Sequence, residues 1–210
     1  MDNNWAAEHL QTIRTLMERS ALYRRALAPI STFVGVVGVV AAIIGWGLKI
    51  PIAGSFALYW MGIALVAMVG ALLMVRRQAV SQGENFWSPP TRRVAQAMLP
   101  ALLIGLVFGL LTAASAWAVR DEMSPVYILI LLWTVLYGLG LHAASFFMTR
   151  GTRLFAWGFL IAGLALAALS TLRNDEVINV SPHFVMAVVF GASHLAYGIY
   201  LYFTERKNET

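Results

Sequence analysis

The stretch GASHLAYGIYLYFTERK, from Gly191 to Lys207, ends an apolar run and places a histidine, His194, inside it. A helix of about 20 apolar residues is long enough to cross a bilayer, and five similar runs precede this one. The predicted spans are approximately residues 28–48, 55–75, 97–119, 125–148, 154–172 and 183–203. Because none of them contains Asp, Glu, Lys or Arg, the sequence predicts an all-α polytopic membrane protein with six transmembrane helices.

The overall composition agrees with a chain that lies in lipid. Of its 210 residues, 60% are hydrophobic and only 12% are charged. A soluble domain has about twice that share of charged residues. The chain has no cysteine, which excludes disulfides, iron–sulfur clusters and thiolate metal sites. The lipid bilayer is therefore the main predicted partner.

The basic residues indicate how the helices are oriented. Twelve of the fifteen fall in alternate connections, on one predicted side of the membrane: Arg14, Arg19, Arg24, Arg25, Arg76, Arg77, Arg92, Arg93, Arg150, Arg153, Arg206 and Lys207. The positive-inside rule places that side in the cytoplasm, so both termini are predicted to be cytoplasmic. The net charge of +5 then reflects topology and attraction to anionic lipid head groups, and it does not indicate nucleic acid binding.

The chain is predicted to have three parts. Residues 1–27 contain a cytoplasmic amphipathic helix, Trp5–Arg25, whose apolar residues fall on one side. Residues 28–203 form the bundle, and residues 204–210 form a cytoplasmic tail. The bundle consists of three helical hairpins, each preceded by basic residues in YRRALAP, TRRVAQAMLP or TRGTRLFAW.

The longest connection between spans is RRQAVSQGENFWSPPTRR, residues 76–93, on the predicted cytoplasmic side. Its SPP sequence is typical of a helix start. Trp87 suits the membrane interface, and with Arg92 and Arg93 it forms a candidate surface for docking a partner. The alternative is a solvated connector.

Rows of small residues four apart occur in several spans, and such rows let helix backbones approach each other closely. They are Gly38 and Ala42; Gly105, Gly109 and Ala113; and Gly158 and Ala162. The rows indicate a tight bundle or a homo-oligomer interface.

The intramembrane histidines are the candidate functional residues, because ionisable groups are expensive in lipid. His142 and His194 each share a helical face with small residues, so both are expected to point into the bundle. His183 lies at the external mouth, eleven residues before His194 and nearly on the same stripe. The candidate ligand-binding residues are His142, His194, Tyr197, Ser145 and His183.

Three interpretations of these histidines remain open. They can be neutral imidazoles that hold helices together, or polar anchors in a pocket for a small or lipid-like ligand. They can also be the axial ligands of a b-type haem, bound by His142 and His194. Their predicted depths, about 24 Å and about 16 Å, count against a haem held between them. No other cofactor or metal is predicted.

The sequence favours a non-catalytic role. It has no intramembrane carboxylate for ion coupling, no nucleotide-binding glycine loop and no recognisable acid/base pair. The predicted function is an accessory, sensor or ligand-binding membrane protein. Alternatives are a facilitator of a neutral or amphipathic solute, the haem protein, and a structural subunit of a larger membrane complex. For partners other than lipid, a homo-oligomer and another membrane protein both stay open.

Three segments of the chain, IRTLMERSALYRRALAP, GLHAASFF and ASHLAYGIYLYFTER, carry a family resemblance. Through them it resembles an uncharacterised family of small six-span bacterial inner-membrane proteins. The resemblance implies the bacterial cytoplasmic membrane as the location, and it implies no activity. The three-hairpin plan is also similar to that of HdeD-type acid-resistance proteins, with which the chain shares no motif.

Overall fold

The computed structural model describes residues 27–50, 53–81, 83, 86–115, 124–172 and 180–206. Throughout these ranges the chain is helical apart from short turns. The predicted amphipathic helix Trp5–Arg25 and the end of the predicted tail lie outside the described residues.

Six helices are long and apolar enough to cross a membrane, which supports a multi-pass membrane protein. They are α1 (Leu27–Gly47), α2 (Ala53–Ser81), α3 (Pro89–Ser115), α4 (Ser124–Ala144), α5 (Arg150–Leu172) and α6. Helix α6 has three consecutive parts, the α-helical turn Pro182–Met186, the π-helical segment Ala187–Ala192 and the α-helix Ser193–Arg206. A short 3₁₀ turn, Ser145–Phe147, follows α4.

The connection between α2 and α3 is much shorter than the sequence analysis predicts. Helix α2 continues to Ser81, and α3 already begins at Pro89. The predicted helix start at SPP is confirmed, since the backbone N–H of Arg92 donates to the carbonyl of Ser88 at 3.0 Å. The apolar stretch of a sequence marks the membrane thickness, whereas polar helical turns can continue beyond it.

Helix α4 is central to the bundle. It packs against α3, where the indole of Trp133 donates to the carbonyl of Gly105 at 2.8 Å. On another side it meets α5, since a Cβ added at Gly138 would lie 3.0 Å from the Cβ of Phe159. It also contacts α6 through the hydroxyl of Tyr137.

Helices α1 and α6 approach each other closely through small residues. A Cβ added at Gly35 would lie 2.6 Å from the backbone nitrogen of Leu195, and one at Gly38 would lie 3.0 Å from the Cα of Gly191. Gly38 therefore belongs to a real helix contact. Gly158, by contrast, is exposed, and an added Cβ there would lie in open space, so Gly158 itself is not at a close contact between described helices.

The π-helical segment interrupts the regular ladder of α6. The backbone N–H of Ser193 donates to the carbonyl of Val188, five residues earlier. The Ser193 hydroxyl donates instead to the carbonyl of Val189, four residues earlier. One extra residue in a helix rotates everything after it by about 100°, so the predicted common stripe of His183 and His194 does not hold.

The outer surface of the bundle is apolar. Large side chains such as Leu65, Leu103 and Ile161 have half or more of their surface exposed in the isolated chain. In a membrane, lipid tails would cover them.

Candidate functional site

One end of the bundle contains a cleft of about 540 Å³, here called the His183 cleft. It lies where α1 ends and where α2, α4 and α6 begin. Its lining residues are Gly45, Trp46, Gly47, Lys49, Ile50, Phe56, Val126, Ser181, Pro182 and His183. The wall combines apolar side chains with a few polar groups, which is the usual composition of a small-molecule site.

His183 is the buried polar residue of this wall. It lies in the first turn of α6, and only 5% of its surface is exposed. Its ring packs among the aromatic side chains of α2, with ring centroids 5.1 Å from Phe56, 5.9 Å from Tyr59 and 6.1 Å from Trp60. Gly45 of α1 leaves room for the ring, since an added Cβ there would lie 2.6 Å from its Nδ1.

The two ring nitrogens of His183 differ in their partners. The indole Nε1–H of Trp60 donates to Nδ1 at 3.2 Å. The Nε2 atom is also buried, and no partner for it exists among the described residues. A buried polar atom without a partner is uncommon in proteins and therefore needs an explanation.

The other side of the cleft is open. Lys49 is exposed there, and its backbone has a φ of 48°, in the left-handed region that favours glycine. The helix end is thus turned by a residue that also brings a positive charge to the cleft. Gly47 is exposed as well, and nothing lies within 4 Å of an added Cβ.

His194 occupies a different place, in the interior between α4, α5 and α6. It is 3% exposed, and its ring contacts Tyr137, Phe155 and Phe159. Its Nδ1 lies 2.6 Å from the carbonyl of Phe190, which can only accept, so Nδ1 donates. Its Nε2 then accepts from the hydroxyl of Tyr137 at 2.8 Å in the neutral ring.

Tyr197 continues this interior cluster by one turn of α6. Its ring stacks on Phe155, with centroids 4.2 Å apart, and Phe155 also contacts His194. Its hydroxyl lies 3.0 Å from that of Thr152, and both residues are buried. His194 and Tyr197 therefore share one aromatic neighbour.

His142 and Ser145 lie together near the other end of α4. The Ser145 hydroxyl donates to the backbone carbonyl of His142 at 2.6 Å. The ring of His142 contacts Phe146 and Trp157, both of which are exposed. Its Nδ1 has no hydrogen-bond partner within the described part of the chain. The five candidate residues thus fall into three separate places.

This geometry bears on the haem alternative. Both ring nitrogens of His194 are hydrogen-bonded inside the protein. The rings of His194 and His142 contact different aromatic residues. Haem ligation through Nε2 of His194 would have to break its hydrogen bond to Tyr137. The haem alternative stays a prediction without support from the site.

The candidate docking residues lie at the start of α3 and just before it. Trp87, Arg92 and Arg93 are exposed. The guanidinium of Arg93 lies 6.0 Å from the ring centre of Phe147, in the turn after α4. The surface is accessible, and its role as a docking site stays a prediction.

Two residues with a polar contact to a histidine, Trp60 and Tyr137, were not among the sequence candidates. Both are aromatic residues with a polar tip inside a span, and a buried tip of this kind usually finds a hydrogen-bond partner. That signal was available in the sequence. Their pairing with histidines on other helices depends on packing that the sequence does not reveal.

The chain was also compared with known proteins. No protein-family model, curated protein or solved structure matches it.

Proposed function

We propose that the protein is a non-catalytic membrane protein that binds a small amphipathic molecule in the His183 cleft. The observation that carries the proposal is that His183, a residue lining an open cleft, has a buried Nε2 with no hydrogen-bond partner among the described residues. His194, which joins two helices, has both nitrogens engaged. His142 also has an unpaired nitrogen, but of these three histidines His183 alone lines the cleft, so the proposal rests on the unpaired nitrogen and the cleft together.

The size and lining of the cleft support a ligand rather than bulk water. A volume of about 540 Å³ falls within the range of small-molecule sites. Phe56 and Val126, both almost fully buried, form part of an apolar wall. Lys49, Ser181 and His183 add polar groups to this wall, so an amphipathic molecule matches it best.

We further infer that both termini are cytoplasmic, that the spans form three hairpins and that the membrane is the bacterial cytoplasmic membrane. The support is the set of basic residues at the ends of α2, α3, α5 and α6 that lie away from the cleft, among them Arg76, Arg92 and Arg150. The His183 cleft then opens on the external face. Binding there suits a sensor or accessory protein.

Native mass spectrometry of the protein, extracted from its membrane in a mild detergent, tests the binding proposal. We expect a reproducible extra mass on each protomer of the wild type. The variant Gly47→Trp should lose this mass, because Gly47 lines the cleft and has open space around an added Cβ, so that a bulky side chain there narrows the cleft. The matched control Gly62→Trp also has open space around it but lies in the middle of α2, so it should keep the mass.

An equal mass in all three proteins, or no extra mass in any of them, would count against the proposal. Solute facilitation and membership of a larger complex stay predictions. A proteoliposome flux assay over neutral and amphipathic solutes tests the first, and co-purification of other proteins tests the second.

A further inference from the structure

The hydrogen bond between Trp60 and His183 fixes which imidazole nitrogen carries the hydrogen. An indole N–H is a donor only, and that of Trp60 lies 3.2 Å from Nδ1 of His183. Nδ1 must therefore accept, and in the neutral ring the hydrogen then lies on Nε2. Nε2, which is buried and has no partner among the described residues, is consequently a hydrogen-bond donor on a residue that lines the cleft.

Lys49, the charged residue of the cleft, is also a hydrogen-bond donor. The ammonium of Lys49 can donate hydrogen bonds but cannot accept them. It lies among the lining residues of the cleft and is exposed. Among the described residues that line the cleft, none carries a carboxylate. The donors and the positive charge both favour a ligand group that accepts hydrogen bonds and is negatively charged.

We propose that the His183 cleft selects amphiphiles with an oxyanion head group, which accepts hydrogen bonds from Nε2 of His183 and from the Lys49 ammonium. The alkyl part lies against apolar wall residues such as Ile50 and Phe56. This inference rests on the proposed function and names the ligand class. Trp60 is a positioning residue, because it acts on the ligand only through the hydrogen it keeps on Nε2.

A titration with three probes of equal chain length tests this selection. Dodecanoate, dodecyl phosphate and dodecylammonium are added to the purified full chain in a neutral detergent, and binding is counted by native mass spectrometry. We expect the two oxyanions to bind about tenfold more tightly than dodecylammonium. The tighter of the two identifies the natural source of the head group, either a fatty acid or a phosphate lipid.

The variants separate the roles of the two donors. Lys49→Gln should reduce the preference for oxyanions, because it removes the charge. Trp60→Phe should reduce it by about threefold, because the hydrogen can then move to Nδ1 and leave Nε2 as an acceptor. The control Trp157→Phe, next to His142, should leave the preference unchanged.

A second variant guards against loss of folding in Trp60→Phe. In His183→Gln the side-chain amide offers both a donor and an acceptor, so the preference should fall there as well. Suppose that the probes bind saturably and that Gly47→Trp abolishes this binding. Equal affinity for all three probes, or an oxyanion preference that is unchanged in both Trp60→Phe and His183→Gln, would then overturn the inference but not the proposed function. If Gly47→Trp does not abolish the binding of any probe, the proposed function fails as well.

Discussion

At the scale of single residues, the two buried histidines of α6 differ in what surrounds them. His194 has a partner for each nitrogen and lies among aromatic rings from two other helices. It therefore helps to align α4 and α6. Within the described part of the chain, His183 has one hydrogen-bond partner and one unpaired donor, and it lines the cleft.

The alignment role of His194 makes a prediction for Tyr137. Tyr137→Phe keeps the ring but removes the hydroxyl that donates to Nε2 of His194. We expect the free energy of unfolding to fall by about 1–2 kcal/mol, because a buried acceptor is left unpaired. Unfolding in mixed detergent micelles measures it.

Tyr202→Phe is the matched control for this measurement, since Tyr202 is exposed near the end of α6. Its free energy of unfolding should stay within about 0.5 kcal/mol of the wild type. Equal stability of the Tyr137 and Tyr202 variants would show that the hydrogen bond to His194 does not stabilise the bundle.

At the scale of helices, glycine positions separate close contacts from lipid-facing surface. Gly35→Ala puts a methyl group 2.6 Å from the backbone nitrogen of Leu195 and 2.9 Å from the carbonyl oxygen of Gly191. Backbone atoms of a packed helix cannot move aside locally, so α1 and α6 must separate. We expect a loss of about 1–3 kcal/mol in the free energy of unfolding.

Gly158→Ala provides the opposite case within the same measurement. Its added methyl group meets no atom within 4 Å. Alanine favours the helix over glycine by up to about 1 kcal/mol, so this variant should be neutral or slightly more stable. Destabilisation of both variants by the same amount would mean that helix contacts do not explain the effect at Gly35.

The contrast between these glycines also marks what the sequence can predict about helices. The existence of all six helices follows from apolar runs alone, because lipid leaves no other way to satisfy the backbone. Gly38 and Gly158 belong to similar small-residue rows, yet only Gly38 lies at a close contact. Which face of a helix meets a neighbour depends on the whole bundle. The π-helical segment is likewise a local response to packing and hydrogen bonding.

The same limit applies to the candidate site. The high free-energy cost of an ionisable group in lipid was enough to single out His142, His183 and His194 from the sequence. Spacing along one helix could not predict that they would lie in three places, since their partners Trp157, Trp60 and Tyr137 come from other helices. The cleft itself is formed by ends of four helices, and no single stretch of sequence encodes it.

At the scale of the whole molecule, the proposed topology can be tested directly because the chain has no cysteine. Ser81→Cys places a thiol at the exposed end of α2, and Gly47→Cys places one at the exposed end of α1, beside the cleft. A membrane-impermeant maleimide should label the first only in inside-out vesicles. It should label the second only in right-side-out vesicles.

Detergent-permeabilised vesicles serve as the control, in which both thiols should react. If the Ser81→Cys thiol reacted only in right-side-out vesicles and the Gly47→Cys thiol only in inside-out vesicles, the termini and the basic residues would lie outside. Labelling of both thiols from the same side would contradict the hairpin arrangement itself.

The close contact of α1 with α6 has a consequence for how the protein is made. Gly35 and Leu195 are neighbours in space, although the ribosome joins many residues between them. Helix α1 therefore enters the membrane long before its partner exists, with its small-residue face turned to lipid or to the insertion machinery. His183 belongs to that same late helix, so a nascent chain has neither a closed bundle nor a complete cleft until α6 has been synthesised.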